Sequence, residues 1–287
     1  MYRPKIHPKT ASDKRDWKNL VKAAKLHGPS ALMPIQKGSM QKWIVLTDVH
    51  RPFHNKVIWA KVMKLIKYMG TDLHGIVLGG DYLDLFTLSS HNAGSMGALT
   101  GMTLQDEYLD GLLGIDEIEQ ASHKGLVKKF LYGNHEDRYF RHVNEKDNAK
   151  YGGALINPVD ALMLEKKRWQ TKTNWKDDYF TLGDNLDVIH GIYTSVHSAK
   201  VHLDKTEHSV MFGHTHRFQS YHSGDKAAFN IGGLYDMNSK GFKYMPRFQR
   251  NVWANGFAMV DIDDNGQYYA NPIKIVNDNF IVDGKLY

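Results

Sequence analysis

The chain has 287 residues, of which 42% are hydrophobic and 24% are charged, and it contains no cysteine. This length suits one large domain, or one domain with an appendage. The lack of cysteine excludes a disulfide framework and thiolate metal sites. The longest apolar runs are too short to cross a bilayer, and no apolar stretch follows the basic N-terminus. We therefore predict a cytoplasmic protein without a membrane partner.

The net charge of +6 is concentrated at one end of the chain. Residues 1–42 hold ten Lys or Arg and two acidic residues, whereas the rest of the chain holds 27 basic and 29 acidic residues. Such asymmetry indicates a polyanionic partner. We predict a basic N-terminal extension over residues 1–41, with a short helix over 13–26, followed by a folded domain over 42–287.

Strands and helices alternate in the first part of that domain. Apolar runs predict strands over 43–50, 75–81 and 129–136, and amphipathic patterns predict helices over 55–69 and 103–121. The inner face predicted for the first of these helices consists of Val57, Ile58, Val62, Leu65, Ile66 and Met69. The second part is richer in strands, predicted over 179–191, 209–216, 227–233 and 257–275. This order predicts an α/β fold with two stacked sheets flanked by helices.

Nearly every predicted strand ends in residues that can bind a metal ion. Five such motifs follow one another along the chain, namely Asp48-Val49-His50, Gly80-Asp81, Gly133-Asn134-His135-Glu136, His190-Gly191 and Gly213-His214-Thr215-His216. Strand ends in α/β sheets are common ligand sites. Hard oxygen donors mixed with imidazoles suit divalent ions such as Mn, Fe, Zn or Ni. Each motif alone is weak evidence, but five in order indicate a metal centre.

The spacing inside two of the motifs supports this interpretation. In Asp48-x-His50 and His214-x-His216 the two side chains are two residues apart, so both point to one side of an extended backbone. The adjacent glycines allow tight turns and a close approach to a bound phosphate.

This ordered series of motifs resembles that of the calcineurin-like metallophosphoesterase superfamily, in particular its stand-alone bacterial and phage members. The resemblance covers about residues 43–275. It implies a four-layer α/β/β/α sandwich of two mixed β-sheets flanked by helices, with two metal ions at the sheet ends. It also implies the ligands. The first ion takes Asp48, His50 and His216, the second takes Asn134, His190 and His214, and Asp81 bridges the two.

The resemblance also implies a mechanism of phosphate-ester hydrolysis by a metal-bridging hydroxide. In it, His135 protonates the leaving oxygen as a general acid, and Asn134 and His135 contact the substrate. Asp84 is predicted to hydrogen-bond His135 and to favour its protonated form, with helix capping or plain solvation as the alternative. Glu136 is expected to be a surface charge or to brace its loop.

Two departures from the serine/threonine protein phosphatase branch narrow the substrate. That branch places phosphate-binding arginines where this chain has Leu85 and Tyr132. A phosphodiester carries less charge than a monoester and needs less clamping, so we favour a phosphodiesterase or nuclease. Arg51 is a candidate for a phosphate contact, or else a surface residue beside Pro52.

Two segments favour a nucleic-acid substrate, such as single-stranded DNA or RNA. One is the basic N-terminal extension. The other is 239–253, which interleaves basic with aromatic residues suited to phosphates and stacked bases. The alternative interpretations are that the lysines of the extension form a solvated helix face and that the aromatic residues of 239–253 are buried in the core. The acidic residues of the second helix, Asp106, Glu107, Asp110, Asp116, Glu117 and Glu119, are expected to form a solvated face.

The sequence therefore predicts a phosphoesterase that uses two divalent ions, with Mn²⁺ expected and Fe, Zn, Ni or Mg as alternatives. A phosphomonoesterase acting on proteins or nucleotides is the second hypothesis, and a non-catalytic scaffold is the third. The scaffold is disfavoured because all seven ligands and His135 are present. The oligomeric state and the native metal pair are open.

Overall fold

The computed structural model describes residues 18–19, 40–89, 101–145, 155–243 and 245–287. The chain divides into two units, Met1–Ser39 and Met40–Tyr287. Of the predicted N-terminal helix, Lys18 and Asn19 are helical, and its other residues lie outside the described part. The architecture below is that of the second unit. Within the described residues, no helix is both long and apolar enough to span a membrane.

The first sheet has six strands in the order β11-β10-β1-β2-β3-β4. Their bounds are β1 Gln41–Leu46, β2 Leu73–Gly79, β3 Val127–Leu131, β4 Gln170–Lys172, β10 Gly256–Ile262 and β11 Tyr268–Lys274. Strands β1 to β4 pair in parallel, whereas β10 pairs antiparallel with both β1 and β11. The parallel strands therefore all point their carboxyl ends toward one edge of the sheet.

The second sheet has five strands in the order β5-β6-β7-β9-β8. They are β5 Phe180–Leu182, β6 Leu186–Val188, β7 Ser209–Phe212, β8 Phe218–Ser223 and β9 Lys226–Ile231. Strands β6, β7 and β9 are parallel, and β5 and β8 are antiparallel to their neighbours. Both sheets are therefore mixed, as predicted.

Helices cover the outer faces of the two sheets. The α-helices are α1 Lys56–Met69, α2 Leu104–Ala121, α3 Asp137–Asn144, α4 Pro158–Ala161, α5 Ser198–Leu203 and α6 Arg247–Arg250, with 3₁₀ turns at Gly70–Asp72, Phe86–Leu88 and Lys240–Phe242. Helices α1 and α2 share one apolar core with the outer face of the first sheet. Helix α5 packs on the outer face of the second sheet through Ala199 and Leu203.

A second apolar core lies between the sheets. Residues from the inner faces of both sheets form it, including Val45, Val77, Val188, Met211 and Val260. The layers are thus helix, sheet, sheet and helix, which confirms the predicted four-layer α/β/β/α sandwich. A short hairpin of β12 Ile281–Val282 and β13 Lys285–Leu286 follows at the end of the chain.

Local sequence signals explain where the first helix lies. Asn55 caps α1, because its side chain accepts hydrogen bonds from the backbone of Val57 and Ile58. The predicted inner face was wrong at Val57, which is 52% exposed, whereas Trp59 is buried in its place. Val57 lies in the first turn, and Trp59 turns inward to donate its indole N–H to Glu117.

Candidate metal centre

All seven predicted ligands follow strands whose carboxyl ends meet at one edge of the sandwich. Asp48 and His50 follow β1, Asp81 follows β2, Asn134 follows β3, His190 follows β6, and His214 and His216 follow β7. Because β1, β2 and β3 are parallel, and β6 and β7 are parallel, the fold gathers side chains that are far apart in sequence.

The first group of ligands is Asp48, His50 and His216, all buried. The Nε2 atoms of His50 and His216 lie 2.9 Å apart. An Asp48 carboxylate oxygen, Oδ1, lies 3.3 Å from His216 Nε2 and 3.7 Å from His50 Nε2. His50 uses its other nitrogen, Nδ1, to donate to Asp84 Oδ2 at 2.9 Å. Its Nε2 lone pair is thereby directed at the centre of the group.

The second group holds Asn134, His190 and His214. Asn134 Oδ1 lies 2.9 Å from both His190 Nε2 and His214 Nδ1, and these two nitrogens are 3.2 Å apart. Asp81 Oδ2 lies between the groups, 3.4 Å from His190 Nε2 and 3.9 Å from His50 Nε2. The carboxylate of Asp81 is therefore placed to bridge two ions.

The charges of the cluster favour a cation. Burial alone lowers the pKa of His50, but the carboxylates of Asp48 and Asp84 outweigh it and raise the pKa to about 10. In the same way, burial lowers the pKa of His190 and Asp81 raises it to about 9. Burial raises the pKa of Asp48, yet the neighbouring imidazoles hold it well below its ordinary value. The negative charge that holds protons on these imidazoles would equally attract divalent metal ions, which would bind the imidazole nitrogens by displacing those protons.

Backbone strain is concentrated at the same residues. Five of the ligands have positive φ angles, namely Asp48 (48°), His50 (55°), Asp81 (51°), His214 (65°) and His216 (58°). Left-handed backbone costs non-glycine residues of order 1–3 kcal/mol each and persists where the surrounding structure enforces it. Such clustering is typical of a site whose side-chain geometry matters more than local stability.

Glycines make room for the two carboxylates. A Cβ atom on Gly213 would overlap the carboxylate of Asp48, and one on Gly133 would overlap that of Asp81. The backbone N–H groups one or two residues later bind the same carboxylates. His214 donates to Asp48 at 2.9 Å, and His135 donates to Asp81 Oδ1 at 2.9 Å. Because these glycines lack a Cβ atom, the loops that contain them can approach the Asp48 and Asp81 carboxylates closely enough to hold them by backbone hydrogen bonds.

Glu136 braces the loops that carry two of the ligands. Its buried carboxylate accepts backbone hydrogen bonds from Asp81 at 3.0 Å, Leu83 at 2.7 Å and Gly133 at 2.8 Å. Of the two roles expected for Glu136, surface charge and loop bracing, the structure supports loop bracing.

His135 lies beside the centre, with both ring nitrogens hydrogen-bonded and Nε2 on the side of the centre. Its Nδ1 donates to the backbone oxygen of Asp84 at 2.7 Å, which leaves Nε2 3.8 Å from Asp81 Oδ2. Asp84 therefore hydrogen-bonds His135, as predicted, but through its backbone oxygen, since its carboxylate is bonded to His50 and stays 3.5 Å from His135 Nδ1. Burial lowers the pKa of His135 and Arg138 adds to this, whereas Asp81 and Asp84 oppose it without outweighing it.

A pocket of about 930 Å³ opens over the ligands. Asp81, Asn134, His135, His214 and His216 form its floor, and its walls include Arg138, Arg217, Met245, Phe248, Val252 and Trp253. Neither arginine was among the residues predicted from the sequence. Each follows a motif histidine, Arg138 by three residues and Arg217 by one, and this spacing is the signal that could have found them.

Arg51 does not line this pocket. Its guanidinium is buried, donates to Asp110 at 2.7 Å and to Glu117 at 3.3 Å, and lies over the ring of Trp59. It connects the end of β1 to helix α2, so neither of the two predicted roles, a phosphate contact or a surface position, is correct.

The predicted solvated acidic face of α2 was also wrong, at Glu107. That residue is fully buried and accepts hydrogen bonds from Phe86 and Thr87.

The basic and aromatic segment 239–253 divides between core and pocket. Phe242 is fully buried, and Trp253 packs edge-on against His216 with ring centroids 4.3 Å apart. Phe248, by contrast, is 71% exposed and lines the pocket. Tyr244 lies outside the described residues. The alternative of buried aromatics therefore holds for part of the segment, and Phe248 is left as an exposed ring near the ligands.

No protein-family model and no curated protein matches the chain. Several solved structures are similar to it over most of their length. Vps29 of Entamoeba histolytica complexed with Zn²⁺ has 12% identity and a TM-score of 0.42, with 86% of this chain and 96% of that chain covered. Vacuolar protein sorting 29 of Cryptosporidium parvum has 11% identity and a TM-score of 0.40, with 86% and 95% covered.

A Streptococcus pneumoniae protein described as a predicted phosphoesterase has 12% identity and a TM-score of 0.36, with 86% and 96% covered. The chain's own two mixed sheets between helices and its ordered candidate ligands at the strand ends agree with the architecture predicted from the sequence.

Proposed function

We propose that this chain is a metal-dependent phosphoesterase that prefers phosphodiesters of nucleic acids or nucleotides. The observation that carries the proposal is the convergence of seven donor side chains under an open pocket, with His135 Nε2 beside the bridging carboxylate. Two ions fit the ligands, one held by Asp48, His50 and His216 and the other by Asn134, His190 and His214.

When bound, two divalent ions would polarise the phosphoryl oxygens and activate a water molecule as the nucleophile. The mixture of carboxylate, amide and imidazole ligands suits several first-row ions, and availability selects among them. Of these ions we propose Mn²⁺. The side chains of the site hold the metal-binding and catalytic residues in position. Asp84 orients His50 through its carboxylate, and its backbone oxygen orients His135.

His135 is the proposed general acid. With its Nδ1 proton held by a backbone oxygen, its Nε2 is the nitrogen that faces the pocket and delivers a proton to the leaving oxygen.

The pocket wall supports a nucleotide substrate. Met245, Phe248, Val252 and Trp253 place apolar surface a short distance from the ligands, and the exposed ring of Phe248 offers a face on which a base can stack. Stacking of this kind tolerates any base, which suits hydrolysis with little sequence preference.

One observation favours a phosphomonoesterase as the second candidate. Although arginine is missing at Leu85 and Tyr132, two other arginines, Arg138 and Arg217, line the pocket. A dianionic phosphate needs such groups. The argument for a diester from the two missing arginines is therefore weaker than the sequence suggested.

The test is a paired assay of metal-stripped protein to which Mn²⁺ is returned. Bis-para-nitrophenyl phosphate reports diester cleavage and para-nitrophenyl phosphate reports monoester cleavage. His135→Ala is the test variant and His222→Ala is its matched control, because His222 is exposed on β8 and outside the pocket lining.

We expect metal-dependent diester cleavage that falls by roughly 10²–10⁴-fold in His135→Ala and is unchanged in His222→Ala. Faster monoester cleavage would select the second candidate. Hydrolysis of neither ester by metal-loaded wild type would refute the phosphoesterase proposal. Phe248→Ala tests the nucleotide preference, since it should raise KM for a dinucleotide more than for the chromogenic diester.

A further inference from the structure

Arg138 is a nearly buried cation whose charge is only partly compensated. Its side chain is 10% exposed, and its nearest carboxylate is that of Asp84, with Nη1 and Oδ1 3.5 Å apart. That carboxylate is already bonded to His50. Arg138 donates its better hydrogen bond, at 2.8 Å, to the neutral backbone oxygen of Asp84. Among the described residues, the only carboxylate that pairs with this guanidinium is that of Asp84, through a single long hydrogen bond of 3.5 Å.

The second edge of the guanidinium faces the reaction site. Arg138 Nη2 lies 3.0 Å from His135 Nε2, which in turn lies 3.8 Å from Asp81 Oδ2. One nitrogen of Arg138 is thus anchored to the Asp84 backbone, and another points toward the edge of the metal centre. An imidazole is a weaker acceptor for a guanidinium than a phosphoryl oxygen, which bears negative charge.

We infer that Arg138 is the positioning residue for the substrate's phosphate group and takes the place of the arginines missing at Leu85 and Tyr132. In the free protein its Nη2 is held by His135 Nε2. On binding, a non-bridging phosphate oxygen replaces the imidazole as its acceptor, and His135 Nε2 is released to face the leaving oxygen. The inference rests on the proposed phosphoesterase function and names the side chain that recognises its substrate.

The helix that carries Arg138 makes this placement a consequence of the motif. The helix Asp137–Asn144 begins two residues after His135. Residues three apart in a helical turn lie side by side, so the Arg138 side chain comes back beside the His135 imidazole. The anchor to Asp84 links the same guanidinium to the carboxylate that orients His50. Phosphate binding at Arg138 would therefore affect His135 directly and His50 through Asp84.

The direct test measures binding of inorganic phosphate to Mn²⁺-loaded protein by calorimetry, beside KM and kcat for both chromogenic esters. Arg138→Met removes the guanidinium and keeps the length of the side chain, and Arg138→Lys keeps the charge without the two-pronged geometry. Arg168→Met is the control, because Arg168 is exposed, outside the pocket lining, and its loss changes the net charge equally. Bound Mn²⁺ per chain and Tm are recorded for each variant.

We expect Arg138→Met to weaken phosphate binding by roughly 10- to 100-fold, the effect of losing a charge-assisted hydrogen bond. KM for the esters should rise by a similar factor, Arg138→Lys should be intermediate, and Arg168→Met should match the wild type. Unchanged phosphate affinity in Arg138→Met that retains its Mn²⁺ would overturn the inference. So would loss of Mn²⁺ with normal phosphate binding by the molecules still loaded, since this would show a purely structural role.

If Arg138→Met does not fold, Arg138→Lys decides the question, and a phosphate affinity equal to that of the wild type overturns the inference. The proposed function fails separately. A wild-type protein that cleaves neither ester would refute the phosphoesterase proposal, whereas the phosphate measurement would still report on Arg138.

Discussion

Removal of the Glu136 carboxylate tests how the fold holds the metal ligands in place. In Glu136→Ala, three buried backbone N–H groups, those of Asp81, Leu83 and Gly133, lose their acceptor. An unsatisfied buried donor costs about 1–3 kcal/mol. Because neighbouring terms do not add fully, we expect a loss of roughly 3–6 kcal/mol in the free energy of unfolding. That is a large part of the 5–15 kcal/mol typical of a folded domain, as an order of magnitude.

The isosteric variant Glu136→Gln should fall between Ala and wild type. In the wild type, Oε2 of Glu136 accepts hydrogen bonds from the N–H groups of Asp81 and Gly133, and Oε1 accepts one from Leu83. A glutamine oxygen can replace Oε2, but its amino group then faces the N–H of Leu83. We expect a loss of about 1.5–3 kcal/mol, the value of one hydrogen bond to a charged group.

The assay is urea unfolding in the presence of a chelator, so that stability is measured without bound metal. Glu165→Gln is the matched control, because Glu165 is exposed. A second readout is Mn²⁺ affinity, which should fall by roughly 10–100-fold in Glu136→Gln, as for other residues that support ligands. If Glu136→Ala loses less than about 0.5 kcal/mol, the range expected for a surface substitution, the bracing role is refuted.

Three further predictions concern the surroundings of the centre. Gly213→Ala should weaken Mn²⁺ binding measured by calorimetry, because its Cβ would displace the carboxylate of Asp48; normal affinity would show that the loop adjusts. Asp84→Asn should lower Mn²⁺ affinity by roughly 10–100-fold through the loss of the Asp84 carboxylate that orients His50; an unchanged affinity would mean that other contacts hold the ring. Burial raises the pKa of Glu107 from 4.5 to about 7. Because the folded-state pKa lies above the unfolded value, the stabilisation that it gives is complete below about pH 4.5 and is lost as pH rises through 7. Relative to Glu107→Gln, the wild type should therefore lose up to about 3 kcal/mol between these pH values in chemical unfolding, and a parallel pH dependence of the two proteins would contradict this.

Most of the strands and the candidate ligands could be read from local patterns, whereas strands β4 and β8 and the order of the strands in each sheet were not predicted. Apolar runs mark buried strands, and the chemistry of a ligand is carried by residue type. A parallel sheet then brings successive strand ends to one edge, which is why seven residues spread from Asp48 to His216 meet in the fold. The two-residue spacings of Asp48 with His50 and of His214 with His216 do bring each pair together, but not through the extended backbone that was predicted, because all four residues have positive φ angles.

The errors share one cause, which is that partners distant in sequence decide where a charged side chain points. Arg51 follows His50 directly, yet Asp110 and Glu117 of α2 draw it away from the pocket. Glu107 belongs to an acidic helix, yet it is buried because the backbone of the loop after β2 needs an acceptor.

The sequence by itself determined the class of fold, the chemistry of the candidate site and the residues able to hold metal ions, because strand periodicity and ligand type are local properties. Only the tertiary structure decided that the Asp84 carboxylate orients His50 while its backbone oxygen binds His135, and that Arg138 lies beside the imidazole. Hydrogen bonds between segments separated by tens of residues depend on how strands and helices pack, and no local pattern records that geometry.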